Sequence, residues 1–381
     1  MKKTVSILFL FFGFVTISAQ TATYITDIQT PALDETSGLL FYNNNIITHN
    51  DSGDAANLYE IDAATGAITR TVAIANATNI DWEDLTQDAT YIYIGDIGNN
   101  YGSRSDLKIY KISKDDYNDA DDIATAEIIP YSYANQNDFT SNLNATNWDA
   151  EGLISFGDKL LIFSKNWEDS RVDVYSIPKV SGTHSAILES SYNTNGLITS
   201  ADTSLDESVI YLAGYSSSEA PFMYTIHNMP QSSLDVFAGT VSEKIVAIVP
   251  IGNQVEAISL FEITPTMHRL YITNEKYAVT IGPVTIPFPA KLWSIEIDTD
   301  TVTSSVQNVD EVTLTIFPNP FDTTLNLSET VDEIIIFDLF GRVVVEQQFV
   351  EELLLEHLNT GLYIAHIKTN NSRVIRKIMK K

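Results

Sequence analysis

The sequence predicts an all-β chain: a five-bladed β-propeller, with six blades as the alternative count, followed by a small Ig-like β-sandwich. Three observations carry this. One unit of three or four strand-like runs recurs five times between Glu35 and Asp298, the signature of a repeat architecture. The runs are rich in β-branched and aromatic residues and are punctuated by Asn, Asp and Gly. From Val312 the pattern changes to three further β-rich runs separated by Pro318-Asn319-Pro320, Gly341 and Asn359-Thr360-Gly361, as expected of a small antiparallel sandwich.

The elements follow in order. Lys2 and Lys3 precede an apolar run from Val5 to Ile17, and Ser18-Ala19-Gln20 offers a small-residue cleavage site after Ala19. Residues 1–19 therefore read as a signal peptide, since the apolar run falls short of the roughly 20 residues of a membrane span. No later stretch is continuously apolar, so the mature chain is expected to have no transmembrane segment. Residues 20–300 form the propeller, 301–311 a linker and 312–381 the C-terminal domain.

Each repeat opens with a polar residue before a small-plus-apolar turn, then runs through successive strands. The openings are Glu35-Thr36-Ser37-Gly38-Leu39, Asp81-Trp82-Glu83-Asp84-Leu85, Asp149-Ala150-Glu151-Gly152-Leu153, Asn195-Gly196-Leu197-Ile198 and Val255-Glu256-Ala257-Ile258. The units have the size of propeller blades. The fifth copy lacks a fourth strand, and Ala22–Ile28 is a strand without a blade. Docking one into the other would close the ring and remove exposed edges. A sixth blade would have to lie within the insertions at 115–147 or 228–254.

The C-terminal segment joins VTLTIFPNPFDTTLNL, IIIFDLFGRVVV and LNTGLYIAHIKT to a basic end of Arg373, Arg376, Lys377, Lys380 and Lys381. It resembles the type A C-terminal sorting domain of the type IX secretion system of Bacteroidetes. The resemblance implies passage through the periplasm and across the outer membrane, with the secretion machinery and its sortase as partners. It further implies a passenger that is released or fixed to the cell surface.

Fifty acidic and 22 basic side chains give the chain a net charge of −28, and residues 21–300 hold 39 of the acidic and 13 of the basic ones. Such a surface disfavours nucleic acid, whose binding needs Lys and Arg on phosphate. It suits cations, cationic partners or neutral glycans, and equally serves solubility. There is no cysteine, which excludes thiol chemistry and thiolate metal sites. A monomer is expected.

Where first strands line a central channel, the repeat places Glu35, Glu83, Glu151 and Glu256 at equivalent positions, with Asn195 in the fourth copy. A second ring follows the next strand: His49, Asn50 and Asp51; Asp96, Asn99 and Asn100; Lys165 and Asn166; Asn274, Glu275 and Lys276. Converging carboxylates repel unless something positive sits among them. Ca²⁺, which takes six to eight oxygen ligands, fits that need. Without a metal, His49, Lys165, Lys276 and Arg104 are the countercharges. The alternative role for the glutamates is architectural, capping backbone N–H groups of the neighbouring blade. Trp82, Trp148 and Trp167 lie near the same rim, either stacking on a sugar or packing between blades. Asp51-Ser52-Gly53-Asp54 lacks EF-hand spacing, and Gly95 to Asn100 is not a dinucleotide fingerprint because no helix follows.

The motifs THNDSGD, DWEDL, DIGNN followed by Arg104, EGL, and VEAIS followed by NE resemble secreted bacterial propellers related to phytase-like and lactonase-like ones. That resemblance implies acidic residues holding Ca²⁺ in or near the channel. The expected function is ligand binding, to a glycan or a protein, around an acidic, Ca²⁺-stabilised channel. The alternative is a Ca²⁺-dependent phosphoester or lactone hydrolase, with Glu83 or Glu151 as base and His49 or Lys165 as the positive group.

Overall fold

The computed structural model describes residues 19–217, 220–230, 233–247, 254–264, 267–281, 284–298, 315–338, 343–369 and 372–381. The signal-peptide reading of residues 1–18, the linker 301–311 and Gly341 lie outside the described residues.

Up to Asp298 the chain forms sheets of five, five, eight and four strands besides a two-stranded hairpin. The eight-stranded sheet joins two four-stranded antiparallel units by parallel pairing of Tyr131–Tyr133 with His184–Ala186, so five such units, numbered I to V in chain order, are traced. Their first strands are Thr36–Tyr42, Trp82–Gln87, Ala150–Phe156, Leu197–Thr203 and Val255–Ile263. The second strands are Asn45–Asn50, Tyr91–Asp96, Lys159–Ser164, Val209–Tyr215 and Met267–Asn274. First strands neighbour one another in the cycle I–II–III–IV–V–I, which is a propeller arrangement. The second strands read as nearly continuous apolar runs because both faces are covered by adjacent units; all seven residues of Val209–Tyr215 are buried. Outer strands alternate, as Glu127–Tyr133 does, with one face more open to solvent than the other. Within 115–147 and 228–254, no further four-stranded unit lies among the described residues.

The fourth strand of unit V comes from the N-terminus. Thr23–Asp27 pairs antiparallel with Lys291–Asp298, and Ala19–Thr21 runs parallel to Ile245–Ala247 of unit IV. One segment therefore fastens the last two units. An apolar hairpin, Tyr277–Ile281 with Val284–Phe288, projects between the second and third strands of unit V.

A belt of polar side chains ties the first strands across units. Asp84, fully buried, accepts from Leu153 N at 2.9 Å, Ala201 N at 3.0 Å and Ser200 Oγ at 3.1 Å. Ser200 Oγ in turn accepts from Ile258 N, Asp202 from Leu260 N, Ser259 Oγ from Phe41 N and Thr86 Oγ1 from Ser155 N. Ser37 Oγ donates to Glu83 O and closes the step from unit I to unit II. Buried backbone N–H groups need partners, and this belt supplies them.

The C-terminal strands are Ile316–Phe317, Thr324–Phe337, Val343–Leu354, Gly361–Thr369 and Ser372–Lys380. The two faces expected of a sandwich are continuous through Thr324–Phe337, which pairs with three partners and shifts register between Asn326 and Val331. Leu325, Val331, Ile334, Ile336, Leu353 and Ile378 are among its core residues. The Pro-Asn-Pro turn holds the last strand: Asn319 Nδ2 donates to Lys377 O at 2.8 Å, and Asn319 Oδ1 accepts from Met379 N at 2.9 Å.

Candidate functional site

Every first strand carries a β-bulge near its start. The skipped residues are Gly38, Glu83, Glu151, Thr199 and Glu256. A bulge leaves one residue outside the ladder and re-aims its side chain. Glu83, Glu151 and Glu256, at 4 %, 4 % and 8 % exposure, thus occupy matching positions, as the repeats predicted. Glu35 does not. It lies three residues before the bulge of unit I and is exposed, with its carbonyl accepting from Asp51 N. The bulge residue there is Gly38, and that of unit IV is Thr199 rather than Asn195. The glycine of the opening is no guide to either position, because it stands on the bulge in unit I, after it in unit III and three residues before it in unit IV.

The bulge glutamates are not the strand caps. That work belongs to Asp84, Ser200, Asp202 and Ser259, which the repeat comparison missed; the acidic residue directly after Glu83 was the available signal.

Carboxylates of Asp51, Asp81 and Glu83 place one oxygen each within 4.8 Å of one another. Two oxygens on opposite sides of one Ca²⁺ would sit about 5 Å apart at ordinary bond lengths. Burial, with Asp51 and Asp149 nearby, pushes Asp81 up to about 7. Burial and the charges of Asp51, Glu151 and Asp81 raise Glu83 well above the carboxylate range. Glu256 and Glu275 are each pushed up to about 8, by burial first and then by their acidic neighbours. Among the described residues no protein donor is bonded to any of these four carboxylates, of which Asp81 and Glu275 are partly buried. Crowding like charges together without donors is costly. The crowding is accommodated locally by Gly98, where a Cβ would stand 2.2 Å from Glu83 Oε1 and 2.5 Å from the Asp81 carboxylate. Gly98→Ala is therefore expected to displace both side chains and abolish any Ca²⁺-dependent rise in melting temperature.

Lys165 is the cation within this cluster. Its Nζ lies 2.5 Å from Glu151 Oε1, 4.8 Å from the Trp167 ring centre and 5.3 Å from that of Tyr215. Burial works against its charge, but Glu151 and Glu256 outweigh it and hold the ammonium above its ordinary range. A Lys165 ammonium held above its ordinary range is suited to the role of a positive group rather than of a nucleophile.

His49 departs from expectation. Its Nδ1 lies 2.8 Å from Asn50 O, so this nitrogen carries the proton. Burial lowers its pKa to about 4, leaving a neutral ring wedged against Gly38, whose Cβ would meet Nε2 at 2.4 Å. His49 is no countercharge. Arg104 binds Asp96 Oδ1 at 2.7 Å and Gly98 O at 2.7 Å, pinning the loop that carries Gly98, and its charge also acts against the rise at Asp81.

The remaining predicted ligand residues hold local structure. Asn50 donates to Ala32 O and Asp54; Asn99 donates to Asp149 and Trp148 O. Asn144 N donates to Asn100 O. Asn166 accepts from Ser164 and donates to Asp173, and Asn274 accepts from Trp293 Nε1. Lys276 reaches Asp34 at 2.6 Å across the junction of units V and I. Trp82 is fully buried against His49, whereas Trp167 donates its indole N–H to Asp149 at 2.7 Å beside the cluster.

Residues 315–381 match the secretion system C-terminal sorting domain. The chain is thus exported to the extracellular space or the cell surface, through the type IX machinery that reads this tail. No described helix is long and apolar enough to cross a membrane. No curated protein matches the chain. Among solved structures, similarity is low. The extracellular domain of the hybrid two component system BT4673 from B. thetaiotaomicron shares 10 % identity at a TM-score of 0.32. That alignment covers 96 % of this chain, which spans 60 % of the other. A mitotic checkpoint complex chain gives 11 % identity and a TM-score of 0.32 over 77 % of this chain and 99 % of its own.

Proposed function

We propose that the exported chain is a ligand-binding propeller whose site is organised by a hard divalent cation, Ca²⁺ by preference. The observation that carries this reading is the Asp51–Asp81–Glu83 cluster, three convergent carboxylate oxygens within 4.8 Å, two of whose side chains have no protein donor. Only oxygen donors face the position, which suits Ca²⁺ over softer metals. Glu35, Glu151 and Glu256 are not its ligands in this reading: Glu35 is exposed, Glu151 is paired with Lys165, and Glu256 lies near Lys165 and Glu275.

The test is thermal unfolding with chelator, then with Ca²⁺, Mg²⁺ or Zn²⁺ restored. At one hundred times its dissociation constant, Ca²⁺ would add about 2.7 kcal/mol. The effect has a pH signature. Asp81 at about 7 and Glu256 and Glu275 at about 8 lie above ordinary carboxylate values. Their contribution to stability is full below about pH 4 and is lost as pH rises through 7 to 8. The chelated protein should therefore melt progressively lower from pH 5 to 9. Ca²⁺ binds the deprotonated groups, so its stabilising increment should grow over the same interval. A chelator-insensitive melting temperature at pH 8.5 would refute the cation.

A hydrolytic reading takes Glu83 as base, a carboxylate of raised proton affinity within the cluster, and requires that Glu83 be left unbound by the cation. Turnover of lactone or phosphoester substrates that Glu83→Gln abolishes would establish it.

A further inference from the structure

Resting on the cation reading, we propose that the ligand is a neutral sugar. Its hydroxyls would be read by the Lys165–Glu151 pair while neighbouring hydroxyls complete the coordination of the cation.

Charge narrows the class first. An anionic ligand such as a phosphate ester would face Asp51, Asp81, Glu83, Asp149, Glu256 and Glu275, with Lys165 already held by Glu151 at 2.5 Å. In the Ca²⁺-bound state the three ligand carboxylates are ionised and carry one charge more than the ion neutralises, which opposes a further anion. A cationic peptide would meet a place already filled, because Lys165 itself sits in a cage of Glu151, Trp167 and Tyr215.

Hydrogen-bonding capacity narrows it further. Glu151 is 4 % exposed, and its second oxygen, Oε2, is buried without a partner. Beside it, the Lys165 ammonium carries three N–H donors, of which one is directed at Glu151 Oε1. A second donor is shared with the Tyr215 hydroxyl, so a free acceptor and one uncommitted donor stand side by side. A hydroxyl satisfies both, accepting from Lys165 and donating to Glu151. Phosphate can only accept there, and an ammonium can only donate. The aromatic faces of Trp167 and Tyr215 fix the direction of the ammonium and limit water around it. At the cation, three carboxylates leave coordination positions open, which adjacent sugar hydroxyls can fill without adding charge.

The experiment uses the full chain with Ca²⁺ on a printed array of neutral, sialylated and phosphorylated glycans, with a lysine-rich peptide as counter-probe. Neutral glycans are expected to bind. Lys165→Met and Glu151→Gln should each weaken that binding at least tenfold while keeping the Ca²⁺-dependent rise in melting temperature. Should Lys165→Met fail to unfold cooperatively, Lys165→Arg supplies the same reading, since a guanidinium keeps the charge but changes the donor geometry. Binding confined to acidic glycans or to the peptide overturns the proposal, as does neutral binding that both variants leave unchanged. A chain that binds no glycan yet melts higher with Ca²⁺ also overturns it and leaves the cation standing. Loss of the Ca²⁺ response in the unsubstituted protein removes the cation reading instead.

Discussion

A protein that begins at Gln29 is expected to lose its cooperative unfolding transition, whereas one that begins at Gln20 keeps it. The segment between them supplies the outer strand of unit V and also touches unit IV. It buries Ile28 at 1 % and Ala22 at 8 % exposure, and Ile28 N donates to Ala290 O at 2.8 Å. Full burial of the isoleucine alone contributes about 1.5–3 kcal/mol. The lost backbone hydrogen bonds contribute about 0.5–1.5 kcal/mol each. Together these approach the 5–15 kcal/mol that holds an ordinary domain, and this chain has no disulfide to fall back on. Removal would also bare the edge of Lys291–Asp298, which invites strand pairing between copies. Circular dichroism melting and size-exclusion chromatography of the two proteins decide the matter. Equal melting temperatures would show that the ring does not depend on its N-terminal strand.

That strand pairing was legible because a repeat missing its last strand and a strand missing its repeat stood at opposite ends of one sequence. The strands themselves were legible for a similar reason: second strands such as KLLIFS are apolar without alternation, as covering on both faces demands. The site was legible only in part. Glu83, Glu151 and Glu256 recur within the same bulge, so repetition exposes them. Glu35 was misplaced because it is the acidic residue of that opening, three positions before the bulge, and sequence spacing carries no mark of which residue is skipped. Asp81 entered the opening of the second repeat but not the list of expected ligands, since its role depends on Asp51 arriving from unit I. His49 shows the opposite limit. Its type suggested charge, but burial against Gly38 and a bond to Asn50 O leave it neutral.

Glu83→Gln and Asp84→Asn, at consecutive positions, should move the stability of the metal-free protein in opposite directions. Asp84 is the centre of the inter-unit belt, with Leu153 N, Ala201 N, Leu85 N and Ser200 Oγ all directed at its two oxygens. An asparagine presents one oxygen and one NH₂ group, so at least one donor must face another donor in a buried setting. Each donor left unsatisfied costs about 1–3 kcal/mol. A loss of about 3 kcal/mol, or roughly 6–12 °C at a few degrees per kcal/mol, is the expected result with or without Ca²⁺. Glu83 makes no such bonds and suffers only burial and repulsion from Asp51, Glu151 and Asp81. Its neutralisation should raise the melting temperature of the chelated protein at pH 8 and erase the increment that Ca²⁺ provides. The pair thereby separates two uses of acid in one strand: Asp84 holds the units together, while Glu83 is kept at a cost in stability for what it binds. A Glu83→Gln protein that melts lower in chelator and still gains from Ca²⁺ would make Glu83 architectural and move the binding site elsewhere.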